Sequence, residues 1–137
     1  LRLNNQVTNV DLQGNLLEVN NGKNIFSSSL RAYTDLYEVA SIVNAKHQDV
    51  VNELDVTYAQ LQNLTTSALK GELVKLYDRL PNAMISLTFY DDNGRVTNRI
   101  NERKEESYLY YDSYGRIDYI TDGYGNLLEK KEYNFGD

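Results

Sequence analysis

One spacing constrains this chain more than any other. Tyr90-Asp91-Asp92-Asn93-Gly94-Arg95-Val96 returns 21 residues later as Tyr111-Asp112-Ser113-Tyr114-Gly115-Arg116-Ile117, and the same shift sets Asn101 on Asp122. A longer-range echo sets Asp11-Leu12-Gln13-Gly14-Asn15-Leu16-Leu17-Glu18 on Asp122-Gly123-Tyr124-Gly125-Asn126-Leu127-Leu128-Glu129. The shared cassette is Asp-x-x-Gly followed by a short apolar run. A repeat at this scale is the copying of one small supersecondary unit.

The cassette has a physical meaning. Asp at the head of a turn hydrogen-bonds the backbone two residues on. Gly supplies the positive φ that a tight reversal needs and other residues resist. After Gly94 the residues alternate, with Val96, Asn98 and Ile100 on one side and Arg95, Thr97 and Arg99 on the other. Period two is the signature of a strand, and Ile85–Tyr90 alternates likewise. Residues 84–135 therefore read as an antiparallel meander of five strands turning near 91–94, 101–104, 112–115 and 122–125. Residues 1–20 read as another hairpin, turning at Asp11–Gly14. Asn20-Asn21-Gly22-Lys23 is a further turn, leading to a strand around Ile25–Leu30, and Tyr33–Val43 reads as one more strand.

The middle differs. Val50, Val51, Leu54, Tyr58, Leu61 and Leu64 recur at helical spacing, as do Leu69, Leu73, Leu76, Tyr77 and Leu80. Thr65, Thr66 or Ser67 can cap the second stripe and Pro81 stops it. The spacing predicts helices over 46–63 and 67–79, inserted between β segments and packed on one face of the meander. The fold class is thus α+β, mainly β: an antiparallel hairpin meander with an inserted helical hairpin. It reads as a single module over 1–137, with β hairpins in 1–44, the helical insert in 45–80 and two repeat units in 81–137.

Composition narrows the function. No residue is Cys, which removes thiol chemistry, disulfides and cysteine zinc sites. A net charge of -6 argues against nucleic acid as a partner, and no apolar run is long enough to span a membrane. The chain opens at Leu1 with neither Met nor a signal peptide, as expected of a piece of something longer. His47 is the single imidazole, expected on the solvent side of its helix. The paired carboxylates that hydrolyse glycosides have candidates in Asp91/Asp92, Glu105/Glu106, Asp112 and Asp122. The aspartates head turns, however, and the glutamates adjoin Arg103 and Lys104, as on a solvated strand edge. No metal site or cofactor is expected, and catalysis is not expected.

Tyrosine is the unusual residue, 12 against 3 Phe. Tyr108, Tyr110, Tyr119 and Tyr124 fall in one short stretch. Cross-strand packing in a half-wet sheet accounts for them; the other reading makes them an aromatic platform for a sugar or an extended peptide. The outer edges of such a sheet invite pairing with another chain or with the rest of the same protein.

Tyr-Asp-x-x-Gly-Arg-Val/Ile, then Asp-x-x-Gly-Asn-Leu-Leu-Glu, then Tyr133-Asn134-Phe135, resembles the YD repeats of the RHS family. The segment Leu80-Pro81-Asn82-Ala83-Met84 before two repeat units is similar to the C-terminal region of Bacteroidota-type RHS proteins. The resemblance implies a scaffold segment of a secreted or bacterial cell-surface protein, in a β-shell that encloses or presents an effector, with no catalytic residue. Its repeat-turn positions are Asp11, Gly14, Asp91, Gly94, Arg95, Asp112, Gly115, Arg116, Asp122 and Gly125. The sequence departs from the family at Asn101-Glu102-Arg103-Lys104, where Asp-x-x-Gly is usual, so that turn is expected to be looser or of another type.

Overall fold

The computed structural model describes residues 6–11, 14–22 and 25–133. The described residues form one antiparallel sheet of nine strands in sequence order. β1 (Gln6–Val10), β2 (Leu16–Asn20), β3 (Phe26–Ala32) and β4 (Tyr37–Val43) come first. Four short helices follow: α1 (His47–Asn52), α2 (Tyr58–Leu61), α3 (Thr66–Leu73) and α4 (Leu76–Arg79). β5 (Met84–Tyr90), β6 (Val96–Ile100), β7 (Glu106–Tyr111), β8 (Ile117–Asp122) and β9 (Leu127–Lys130) complete the chain. The expected mainly-β meander with a helical insert is what forms. Contacts divide the chain inside β5, into a unit ending at Leu87 and a unit starting at Thr88.

In the first unit, alternation along the strands sorts the two faces. Leu30, Ala40 and Leu87 stand in one cross-strand row and Ser28, Ile42 and Ile85 in the next. All are buried, together with Val50, Leu54, Leu61, Leu69, Leu73 and Leu76 of the helical segment. The intervening positions Ser29, Ser41 and Ser86 form a row on the opposite face. Each buried leucine contributes about 1.5–3 kcal/mol. The helices bond to β2 and β3: the His47 backbone N–H donates to Glu18, and the Arg31 N–H donates to the Tyr58 hydroxyl at 2.8 Å. Their apolar stripe is thus part of the N-terminal unit, which takes in the start of β5 as far as Leu87. The helices leave β4, and the chain returns as β5 directly beside β4.

Neither expected helix is continuous. The 46–63 segment breaks because Thr57 starts a new helix with a capping box. Its Oγ1 accepts the Gln60 N–H at 3.1 Å, and the Gln60 side chain accepts the Thr57 N–H at 2.9 Å. The 67–79 segment begins at Thr66 behind a Thr65 cap and breaks after Leu73 before α4. It ends at Arg79, ahead of Pro81. The 53–57 link is clamped from α3 and α4. Asp55 takes Lys75 at 2.6 Å and Arg79 at 2.9 Å, its N–H donates to buried Glu72, and Lys75 also reaches Glu72 at 3.1 Å.

Tyr33–Val43 is not one strand. Tyr33, Thr34 and Asp35 turn the chain with φ of 56°, 57° and 63°, conformations that cost roughly 1–2 kcal/mol per non-glycine residue. Gln62 offsets that cost from the helical segment. Its carbonyl accepts the Thr34 N–H at 3.1 Å, its Oε1 accepts the Asp35 N–H at 2.9 Å, and its Nε2 donates to the Arg31 carbonyl at 2.7 Å. The Arg31 guanidinium closes the turn on the Asp35 and Leu36 carbonyls at 3.1 and 2.8 Å.

The second unit carries the repeat. Asn98 and Ile100 are buried while Arg99 is exposed, as the alternation required. β7 pairs β8 through Tyr108↔Thr121, Leu109↔Ile120 and Tyr110↔Tyr119. β9 is an edge strand, exposed along its length. The expected last strand over 126–134 reaches Lys130; Asn134 and Phe135, and Lys23 of the Asn20–Lys23 turn, lie outside the described residues. Among the described residues no helix is long and apolar enough to cross a membrane.

Candidate functional site

The best-defined constellation is the turn itself, built five times from the same parts. In each, the N–H of the fourth residue donates to the carbonyl of the first: Gly14 to Asp11 at 3.1 Å, Gly94 to Asp91 at 3.0 Å, Gly115 to Asp112 at 3.0 Å and Gly125 to Asp122 at 3.2 Å. The N–H of the first residue donates to the carbonyl of the fifth, at 2.8–3.0 Å. In the four copies described throughout, those headed by Asp91, Asn101, Asp112 and Asp122, this is the pattern of a type I turn closed by a left-handed residue, a three-residue hairpin loop whose bulge matches the twist of the flanking strands. The glycines take φ between +77° and +87°.

The aspartate side chain completes the loop. Oδ1 of Asp91 accepts the N–H groups of Asn93 and Arg95, each at 2.9 Å, and Oδ2 takes the Arg95 Nε at 2.9 Å. Asp112 holds Tyr114 and Arg116 in the same way, with the Arg116 Nε at 3.1 Å. Asp122 holds Tyr124 and Asn126, and Asp11 holds Asn15, with an asparagine amide in place of the guanidinium. These bonds set the carboxyl acidities. At Asp91 and Asp112 desolvation pushes the pKa up, but the backbone N–H groups and the arginine outweigh it and hold both carboxyls below the ordinary aspartate value. Asp122 is lowered chiefly by the Asn126 N–H and amide.

Asn101–Glu105 forms the fifth copy, and its geometry corrects the expected looseness. Asn101 Oδ1 accepts the N–H groups of Arg103 and Glu105 at 2.9 Å, and Lys104 stands in the glycine position at φ 65°. The side-chain bond is reversed: the Asn101 amide donates to the Glu105 carboxylate at 3.0 Å. Asn is one of the few residues that mimics Asp in such turns, so the signal was present in the sequence at Asn101 and obscured at Lys104.

Successive units are stapled through the motif. The Arg95 guanidinium lies 4.7 Å from the centre of the Tyr111 ring, and the Tyr111 hydroxyl donates to the Val96 carbonyl. One repeat later, Arg116 lies 4.0 Å from Tyr133, whose hydroxyl donates to the Ile117 carbonyl at 2.6 Å. The guanidinium therefore has two tasks, a carboxylate within its own turn and an aromatic face from the next unit.

The four tyrosines do not form one platform. Tyr110 and Tyr119 stack on each other across the strands, 4.5 Å between ring centres and 16° from parallel, with the Lys130 ammonium 5.9 Å from Tyr119. Tyr108 shares their face by register, and its hydroxyl donates to Glu106 at 3.2 Å. Tyr124 sits at the tip of the β8–β9 turn, 94% exposed, beside a cleft lined by Lys104, Glu105, Glu106, Asp122 and Gly123.

Sequence reasoning misplaced His47. It is 5% exposed, not solvent-facing, because the first turn of α1 is drawn onto β2 and β3 through Glu18 and Ser29. Among the described residues no group of three or more His, Cys, Asp or Glu side chains is placed to hold a metal ion. No family model matches the chain, and no curated protein matches it.

Proposed function

We propose that this chain is a non-enzymatic scaffold segment of an RHS/YD-repeat type protein, secreted or displayed on a bacterial surface, where such repeats build a shell that encloses or presents an effector. The observation that carries this reading is the use made of the motif's polar groups. The carboxylates of Asp91 and Asp112, the guanidinium groups of Arg95 and Arg116 and the hydroxyls of Tyr111 and Tyr133 all bond within the repeat. Groups so engaged propagate a sheet rather than meet a substrate. The partners that fit are the rest of a longer polypeptide, or another protein, pairing at the open edges β1 and β9.

A second reading makes the tyrosines a carbohydrate- or protein-binding surface, and the exposed Tyr124 ring beside its cleft favours it. A glycan array combined with a tyrosine-fluorescence titration separates the two. Silence in both assays is expected of a scaffold. A saturable response lost in Tyr124→Ala overturns the scaffold reading in favour of the second.

A further inference from the structure

Under α1 lies a polar knot that the repeat does not explain. The Nδ1 of His47 is 3.2 Å from the Ser29 carbonyl, which can only accept, so Nδ1 carries the proton and Nε2 is the basic nitrogen of the neutral ring. The ring meets Tyr58 edge-on, 5.2 Å between centres and 89° between planes. The His47 backbone N–H donates at 2.6 Å to Glu18, which is 9% exposed and also takes the Thr8 hydroxyl. Ser28 stands opposite Glu18 in the β2–β3 register, its hydroxyl buried without a protein partner.

We propose that this knot is an acid-sensitive latch: protonation of His47 at Nε2 releases α1 from β2 and β3. A buried imidazolium is costly unless it is paired and hydrogen-bonded. The charged and titratable groups around the ring are few. β2 presents the Glu18 carboxylate, which favours the cation. α2 presents the Tyr58 hydroxyl, with Arg31, Asp11 and Asp35 acting on it in turn. On its own segment His47 is flanked by Lys46 and Asp49. Burial prevails over the Ser29 carbonyl and Glu18, and it holds the imidazole below its ordinary pKa. The opened segment therefore binds the proton more tightly than the closed one, and acid shifts the balance toward opening. With an ordinary pKa of about 6.5 for the released imidazole, the opening equilibrium at pH 5 can rise by at most about thirtyfold.

The test is native-state hydrogen exchange on the full chain at pH 7.5 and 5.0, corrected for intrinsic rates, with a proton NMR titration of the single imidazole. A midpoint below that of a free imidazole is expected. Protection of the α1 amides, such as Val50, should fall several-fold relative to the β7–β8 amides. His47→Gln should abolish that pH difference. Glu18→Gln, which removes the one carboxylate favouring the cation while leaving an acceptor, should lower the midpoint further and keeps the test decisive if the first variant folds poorly. An imidazole midpoint at or above the free value, or α1 protection equal at the two pH values, overturns the latch.

Discussion

At the residue scale the repeated turn rests on two positions, its head and its left-handed residue. Gly115 has φ +79°, and a Cβ there would meet nothing closer than the Arg95 guanidinium at 4.0 Å. The penalty for a side chain is therefore conformational rather than steric. Gly115→Val should cost roughly 1–2 kcal/mol or more in urea denaturation, while Ser113→Ala, at an exposed position of the same turn, should leave the midpoint in place. Lys104 provides the converse experiment. It already occupies the left-handed position at φ 65°, so Lys104→Gly should stabilise the chain by up to about 1 kcal/mol. A loss of stability on that change would show that the lysine side chain holds the turn. These positions were legible in the sequence because a turn is decided by residues within five of one another. His47 was not, since its burial follows from Glu18 and Ser29, which adjoin it only in the folded sheet.

At the scale of elements, strands with local turns could be read and elements closed by distant partners could not. The meander after Met84 follows from alternation and Asp-x-x-Gly, with Asn101-Glu102-Arg103-Lys104 as the one variant turn. The Tyr33–Leu36 reversal has no glycine, and what holds it is Gln62, 27 residues beyond Asp35. Gln62→Ala removes two side-chain hydrogen bonds to that turn, those with the Asp35 N–H and the Arg31 carbonyl, while the backbone carbonyl still accepts the Thr34 N–H. The change should destabilise by roughly 1–3 kcal/mol. Hydrogen exchange should then quicken at Asp35 first. Unchanged exchange there would mean that Arg31 and the residue 62 carbonyl suffice to hold the turn. The helix breaks were half-legible: Thr57-x-x-Gln60 is a capping box in plain sequence, but a continuous apolar stripe outweighed it. Leu73, fully buried in α3, tests the stripe itself. Leu73→Ala should cost about 2–5 kcal/mol in denaturation, and a loss below 1 kcal/mol would place α3 outside the core of the first unit.

At the scale of the whole molecule, the titrating groups separate two windows of acid sensitivity. His47 has its folded pKa lowered, so its neutral form is the native one. Stability is undiminished above the ordinary imidazole value and declines as pH falls through it toward the folded value. That decline belongs to the first unit. The aspartates act lower. Asp55 is held at about 2 by hydrogen bonds from Arg79 and Lys75, and Asp91, Asp112 and Asp122 are lowered by their turns. Folded values below the ordinary aspartate pKa mean that their contribution is complete above about 4. It is lost as pH falls from there through the folded values, in both units. A thermal-melting series from pH 8 to 2 should therefore show a shallow first step between about pH 6.5 and 5 and a steeper second one below about pH 4. His47→Gln should erase only the first step. Asp112→Asn should lower the melting temperature at neutral pH and flatten the second step, because the amide still accepts the turn's N–H bonds but no longer offers Arg116 a charge to lose. A melting temperature that falls smoothly with net charge, indifferent to both substitutions, would assign the acid response to general repulsion and not to the turns and the latch.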